Sequence, residues 1–565
     1  MKNVQLITLA LLFALIALTA CATPTNAPAP TSAPTAATKA PEATKPPAPE
    51  ATTAPAAGQP VKGGSLTVSQ GVNCADTLNQ HISINTGCRM IAHHILDTLV
   101  IVNPKDGSIN PSLATSWEVS ADGKVYTFKL RRDVKFHDGT PFNAQAVKFN
   151  LDYTVRPDIK HGFAYGALGG ERYEKSEVVD DATVKIYFKS PHPTFLINLS
   201  DGGLGIDSPT AMEKAGNDYG IKTLVGSGPF KFKEWVKDNR IVLVPSDVYD
   251  WAPAIYKHKG VPYLAELVYR DVTDASTRAA ALEAGEIQLI SMVESQVAPF
   301  KNNKEITILT TPKAGTARMY MLNNAKPPTD DVKVRQAINH AIDKKTLLQL
   351  PAWSGFGSPG LAPLPVNMVP ANVAAEMKKY DYAFDVAKAN ALLDEAGWKI
   401  GADGIREKGG QKLTIQALAI APTEIGNMEP VDQMLRKVGI KMNISTGDFN
   451  WLIATRTKGD FNIALSSDSG ADPLRLVNYF FHTKSPSNVY GFNKADALIE
   501  KAQNSLTEKE MWDNITLAQV EILKNAVGVM GWEQVYIYGT RANVRDVFFN
   551  EVGYPFYYDT WFEKK

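Results

Sequence analysis

Several stretches of this chain carry residues able to do chemistry. His137 and Asp138 stand side by side in "KFHDGTPF", and an imidazole next to a carboxylate is a common general-base pair. His93 and His94 are also adjacent, but successive residues of a helix point in different directions, which makes them a poor metal pair. "SDGGLGIDS", residues 200–208, is glycine-rich yet lacks a phosphate-loop pattern and reads as a loop. The fourth stretch is "FNIALSSDSGADPLRLV", residues 461–477. An apolar strand-like run there meets a Ser/Asp/Gly loop, and in α/β sheets ligands sit beyond the carboxyl ends of strands. Asp468 or Asp472 could meet an ammonium group or sugar hydroxyls. The alternative is that both only build the turn, since Asp and Pro are turn formers.

Aromatic residues suggest a second kind of contact. Trp353, Trp451, Trp532, Tyr479, Phe480 and Tyr490 fall in segments that read as loops or element ends. Core packing accounts for most aromatics, but rings also wall clefts that hold flexible or sugar-like ligands. The sequence has no Walker A loop, no His-Glu-x-x-His and no nucleophile elbow. No paired carboxylates or nucleophile-base pair is indicated, so an enzyme is not expected and no cofactor or metal is called for.

The elements that must position these residues show in the hydrophobic pattern. Leu66 and Val68 alternate with polar residues in a first strand. "TSWEVSADGKVYTFKL" predicts a hairpin with its turn at Asp122-Gly123 and with Tyr126, Phe128 and Leu130 on one face. Val184, Ile186 and Phe188 repeat that alternation. Residues 331–350 predict one helix, with Val334, Ala337, Ile338, Ala341 and Ile342 on one side. A second helix ends at Gly397, and "PVDQMLRKVGIKMNIS" reads as helix, glycine stop and strand. Asn143 is placed to cap a helix in which Ala144, Val147 and Leu151 share a face. Helix followed by strand, repeated, implies an α/β lobe with a partly parallel sheet.

The chain has 565 residues, a formal net charge of zero, 44% hydrophobic and 21% charged residues. That length exceeds one hydrophobic core, so two or three lobes are expected. Neutral charge and the absence of dense basic runs argue against nucleic acid as a partner. At the amino end, Lys2 and the apolar run "VQLITLALLFALIALTA" form a targeting segment. The run could be an uncleaved anchor helix, but "LTAC", residues 18–21, resembles a bacterial lipobox, which implies lipid on Cys21. Residues 22–60 are almost all Pro, Ala and Thr and cannot bury a core. They predict an extended tether with a reach on the order of 100 Å, at about 3.1 Å per residue. Cys74 and Cys88 remain, and in an exported chain they are expected to form a disulfide worth about 3 kcal/mol.

"NPSLATSWEVSADGKVYTFKLRRDVKFHDGTPFNAQAVKFNLD", residues 110–152, closely resembles the hallmark segment of the family 5 extracellular solute-binding proteins. These are the dipeptide-, oligopeptide- and nickel-binding receptors of ABC importers. "GSGPFKFKEW", "LEAGEIQLI", "DVKVRQAINHAIDKKTLL" and "YDYAFDVAKANALLDEAGW" match further family stretches in order. The resemblance spans nearly all of residues 63–561. It implies an α/β, periplasmic-binding-protein-like fold of class II, cluster C type, with two lobes, a hinge and ligand buried between the lobes. Signal peptide and lipobox would occupy residues 1–21 and the tether 22–60. The first lobe, with an inserted subdomain, would span 61–313, the second 314–540, and the return to the first 541–565.

In peptide-binding relatives an Asp in a loop like residues 466–473 pairs with the ligand's ammonium, because a buried charge needs a partner. Asp468 takes that part here, although this loop is one residue longer before Asp472 and Pro473. Ser467, Trp451, Tyr479 and Arg475 are the other expected ligand contacts. The resemblance implies a monomeric, lipid-anchored, extracytoplasmic receptor that passes a peptide to permease subunits driven by a cytoplasmic ATPase. Relatives also bind oligosaccharides, nickel chelates, opines and glutathione, so an oligosaccharide receptor is an alternative. A secreted hydrolase is an alternative of another class.

Overall fold

The computed structural model describes residues 58–159, 163–350, 356–421 and 424–564. Cys21, the targeting segment, residues 22–57 of the tether and Trp353 lie outside the described residues.

Two mixed sheets form the body. Among the described residues, the first sheet has seven strands, in the order Ile306–Pro312, Val535–Arg541, Leu289–Met292, Ser65–Ser69, Glu266–Arg270, Arg240–Pro245 and Phe230–Val236. Its central strand, Ser65–Ser69, runs parallel to both neighbours. Leu66 and Val68 alternate inward and are fully buried, which is the period-2 signature the sequence carries. The second sheet runs Ser358–Pro359, Gly528–Glu533, Arg318–Leu322, Ile463–Ser466, Thr414–Ile420 and Lys441–Gly447. Thr414–Ile420 is parallel to Lys441–Gly447 and to Ile463–Ser466. Buried clusters cover both faces of this sheet.

A separate four-stranded antiparallel sheet is inserted after the first strand of the chain. It orders Ala114–Val119, Val125–Leu130, Thr183–Phe188 and Tyr173–Asp180. Tyr126, Phe128 and Leu130 share its inner face with Val184, Ile186 and Phe188. Each such side chain contributes on the order of 1.5–3 kcal/mol by leaving water. The helix Ala144–Thr154 packs on this sheet, and the Asn143 side chain accepts from the Ala146 amide at 3.0 Å.

Two expectations are corrected. Residues 331–350 form two helices, Val332–Ala341 and Lys344–Gln349. Ile342 is extended, and the Asp343 side chain accepts from the Lys345 and Thr346 amides, so it starts a new helix where periodicity alone continues the old one. The return to the first sheet also comes earlier than residue 541. Strand Gly528–Glu533 belongs to the second sheet, while Val535–Arg541 pairs along Ile306–Pro312 and Leu289–Met292 in the first. The crossing is therefore Gln534, whose carbonyl accepts from the Lys313 amide at 3.0 Å in the other crossing. A strand that changes sheets keeps an unbroken apolar pattern, so its pattern does not mark the switch.

Cys74 and Cys88 are disulfide-bonded. No described helix is long and apolar enough to cross a membrane.

Candidate ligand-binding cleft

The loop at residues 466–473 leaves the buried strand Ile463–Ser466 and reaches the connection between the two sheets. It is sewn to that connection by backbone bonds. The Thr316 amide donates to the Asp468 carbonyl at 2.9 Å, the Gly470 amide to the Ala314 carbonyl at 3.1 Å, and the Asp468 amide to Thr316 Oγ1 at 3.0 Å. The fit requires glycine at 315, with φ of +148°, because a Cβ there would lie 2.1 Å from the Asp468 carbonyl oxygen.

Within this loop the two aspartates do different things. Asp472 caps the helix Pro473–Phe481, accepting from the Leu474 amide at 2.9 Å and the Arg475 amide at 3.1 Å. Its other oxygen accepts from Thr194 Oγ1 at 2.9 Å, a residue of the first lobe. A second tie joins the lobes nearby, from Arg172 Nη1 to the Gln503 carbonyl at 3.3 Å. Asp468 Oδ2 accepts from Arg475 Nη1 at 2.7 Å, and Oδ1 from the Ser469 amide at 2.8 Å. Arg475 also donates to the Ser469 carbonyl at 2.7 Å. Asp468 is thus held in an internal ion pair, and an incoming ammonium would have to share it with a guanidinium.

Ser467 Oγ accepts from Arg318 Nη1 at 2.9 Å, and Arg318 Nη2 is paired with Glu424. The structure so brings Ser467, Asp468 and Arg475 together. Trp451 and Tyr479 have other neighbours. The Trp451 indole packs beneath Gly447, where a Cβ would meet it at 2.3 Å. Tyr479 is more than a third exposed and sets its ring edge-on against Phe480.

Charged residues that sequence reading passed over complete the site. Lys313 lies in the crossing itself, with Nζ 5.6 Å from the centre of the Tyr536 ring and 3.4 Å from Gln534 Oε1. Burial, reinforced by Arg318, pushes its ammonium down to about 8, against the attraction of Asp468 and Glu294. Tyr536 is hydrogen-bonded to Ser469 and to Tyr554. A lysine in an interlobe crossing and an arginine opening the otherwise apolar strand "RMYML" were the available signals.

His137 and Asp138 belong to the framework. His137 Nε2 bonds the Gly228 carbonyl at 2.8 Å, and its amide donates to the Gly226 carbonyl at 2.9 Å. Asp138 accepts from the Thr140 amide at 3.0 Å and from Ser208 Oγ at 2.6 Å. Replacing His137 with Ala removes one neutral hydrogen bond. We expect a stability loss of about 1 kcal/mol in urea titrations and an unchanged ligand Kd. A large affinity loss without a melting shift would contradict this.

Residues 108–491 match the family model described as bacterial extracellular solute-binding proteins, family 5 middle. The chain belongs to this family. It is 34% identical over 345 residues to the glutathione-binding protein GsiB of Salmonella choleraesuis (strain SC-B67), covering 61% of this chain and 62% of that protein. A GsiB of Pectobacterium atrosepticum is likewise 34% identical over 347 residues. The matched stretch is thus under two thirds of these relatives' length. Among solved structures, NikA from Brucella suis in complex with Fe(III)-EDTA is 29% identical with a TM-score of 0.76, covering 87% of this chain and 98% of NikA. DppA from Helicobacter pylori in complex with the peptide STSA shares the fold, at 24% identity and a TM-score of 0.70 over 89% of this chain and 99% of DppA.

Proposed function

We propose that this chain is a lipid-anchored receptor that captures a peptide, or a similar oligomeric solute, between its lobes and delivers it to an ABC permease. Cys21 is the lipid site and residues 22–60 the tether. The observation that carries the reading is the pair of adjacent crossings between the two sheets. Two adjacent crossings, at Lys313 and Gln534, join the lobes, and Thr194 reaches across to Asp472. Adjacent crossings leave one hinge axis, so closure and opening are rigid-body motions of two lobes. Asp468 offers a solute ammonium a counter-charge that it shares with Arg475.

Calorimetry and native mass spectrometry with glutathione and with tri- and tetrapeptides test this. Saturable binding of a chemically unchanged solute is the expected result; turnover of the solute, or no binding by any of them, would sink the receptor reading. Thr194→Val removes a hydroxyl donor to a carboxylate across the cleft. We expect a five- to tenfold rise in Kd, carried by faster dissociation in stopped flow, since the closed state alone makes the contact.

A further inference from the structure

A second cluster lies in the first lobe, outside the loop at 466–473. Helix Thr86–Ala92 carries Arg89 and Met90, and His93 follows it. Facing them are Asp201 and Gly202 from one turn and residues 550–555 from the carboxyl-terminal segment, and together they line a cavity. The Arg89 guanidinium lies 3.6 Å from the centre of the Phe163 ring, which fixes its plane. Its Nε and Nη1 atoms are shut off from solvent and have no hydrogen-bond partner among the described residues. The nearest carboxylate oxygen, Asp201 Oδ1, is 3.7 Å from Nη1, beyond hydrogen-bond reach, and it already accepts from the Gly203 amide at 2.8 Å.

Buried guanidinium N–H groups without acceptors are costly, and native proteins rarely leave them so. The surroundings do not supply the missing acceptor. Burial, with Asp201 beside it, pushes the Glu551 carboxyl up to about 8, so at neutral pH it is mainly the uncharged acid and competes weakly for Arg89. His93 is kept neutral by burial, against the attraction of Asp201, and its Nδ1 is also without a partner. The cavity therefore presents a fixed cation that is ion-paired with Asp201 at 3.7 Å yet keeps unused donors, beside two neutral polar groups. Tyr554, on its lining, bonds Tyr536, which in turn bonds Ser469 next to Asp468. The cavity and the interlobe loop are two ends of one wall.

Resting on the receptor reading above, we infer that this cavity binds a carboxylate of the captured solute, with Arg89 as its counter-ion and His93 and Glu551 as hydrogen-bonding neighbours. The solute class is then an acid, such as a peptide with a free carboxyl terminus or an acidic side chain. Its carboxylate lies in the first lobe, and the remainder extends along Tyr554 and Tyr536 toward Asp468. A guanidinium suits this role because it presents planar, directed donors to a planar anion.

The test uses the full chain with glutathione, glutathione diethyl ester, trialanine, trialanine amide and a carboxyl-amidated phosphoserine tripeptide. Wild type is expected to bind at least one free acid. Arg89→Gln should weaken that binding 10- to 100-fold, and Arg89→Lys less, while the ester and amide bind both forms alike within twofold. Equal melting temperatures of the variants would tie the loss to the site. Free-acid binding unchanged in Arg89→Gln overturns the assignment and leaves the receptor reading standing. Amidated phosphopeptide binding that is lost in Arg89→Gln, with free acids unaffected, reassigns the cavity to phosphate and overturns the carboxylate. Absence of binding by every probe in wild type overturns both readings.

Discussion

Arg318→Met is expected to lower the unfolding free energy by about 3 kcal/mol and to abolish the order of the loop at 466–473. Arg318 opens the strand Arg318–Leu322 and faces two partners. One guanidinium nitrogen pairs with Glu424 and the other donates to Ser467 Oγ at 2.9 Å. Glu424 is buried, and its second oxygen accepts from the Ile420 amide at 2.9 Å. Removing the arginine leaves that carboxylate enclosed without a counter-charge, which costs about 3–5 kcal/mol. The lower end applies here. Arg318 is also a cause of the depressed Lys313 ammonium, so its removal relieves one strain while creating another.

A double variant separates this account from simple loss of packing. Arg318→Met combined with Glu424→Gln should recover more than half of the loss, because no charge is then stranded. Urea titrations of wild type, both single variants and the double variant at pH 5 and 8 read this cycle. A single variant within 1 kcal/mol of wild type would refute it.

The second large effect is acid lability set by buried histidines. Burial holds His94 at about 3, with His93 adding to the shift, His192 at about 3, and His137 at about 4. Geometry gives the reason for His94. Its Nδ1 donates to the Met90 carbonyl at 3.0 Å, and its Nε2 accepts from the Tyr557 amide at 3.2 Å, so a second proton has no place. His192 is wedged against Phe188 and Phe195, with both nitrogens unpartnered among the described residues.

Each of these groups binds its proton in the unfolded chain near 6.5 and in the folded chain only far lower. Stability therefore falls as pH drops below 6.5. At about 1.4 kcal/mol per pH unit for each group, the three lose on the order of 6 kcal/mol between pH 6.5 and 5. Two carboxyls work the other way. Burial raises Asp97 to about 6 and Glu551 to about 8. Folding is favoured by their protons, and over the same interval they return about 3 kcal/mol. The net expectation is a loss of about 3 kcal/mol from pH 6.5 to 5. It steepens below about 4.5, where Glu551 is protonated in both states and the histidines still titrate. Chemical denaturation across this range checks it, and His192→Leu should remove about 2 kcal/mol of the fall. Greater stability of wild type at pH 5 than at 6.5 would show the balance to be wrong.

Local periodicity made much of the frame legible. The alternation of Leu66 with Val68, and of Tyr126, Phe128 and Leu130, survives folding because the pleat itself repeats every two residues. The cap Asn143 acts through an amide three residues away, so short-range composition reveals it. The same locality misled at Ile342, where an apolar pattern continued through a real helix break, and at Gln534, where one strand pattern runs through a change of sheet.

The sequence by itself determined the family, the α/β character, and the loop at 466–473 as the place where polar chemistry leaves a buried strand. These rest on contiguous motifs and on interactions between near neighbours. Only the tertiary structure decided what the loop's charges do. Asp468 is neutralised by Arg475, Asp472 spends one oxygen on a helix and the other on Thr194, and Arg89 meets Asp201 and Glu551. Arg89 and Glu551 stand at opposite ends of the chain, and no spacing rule links residues that far apart. Their charges acquire meaning only when burial removes water and leaves each to be answered by whatever the fold has placed beside it.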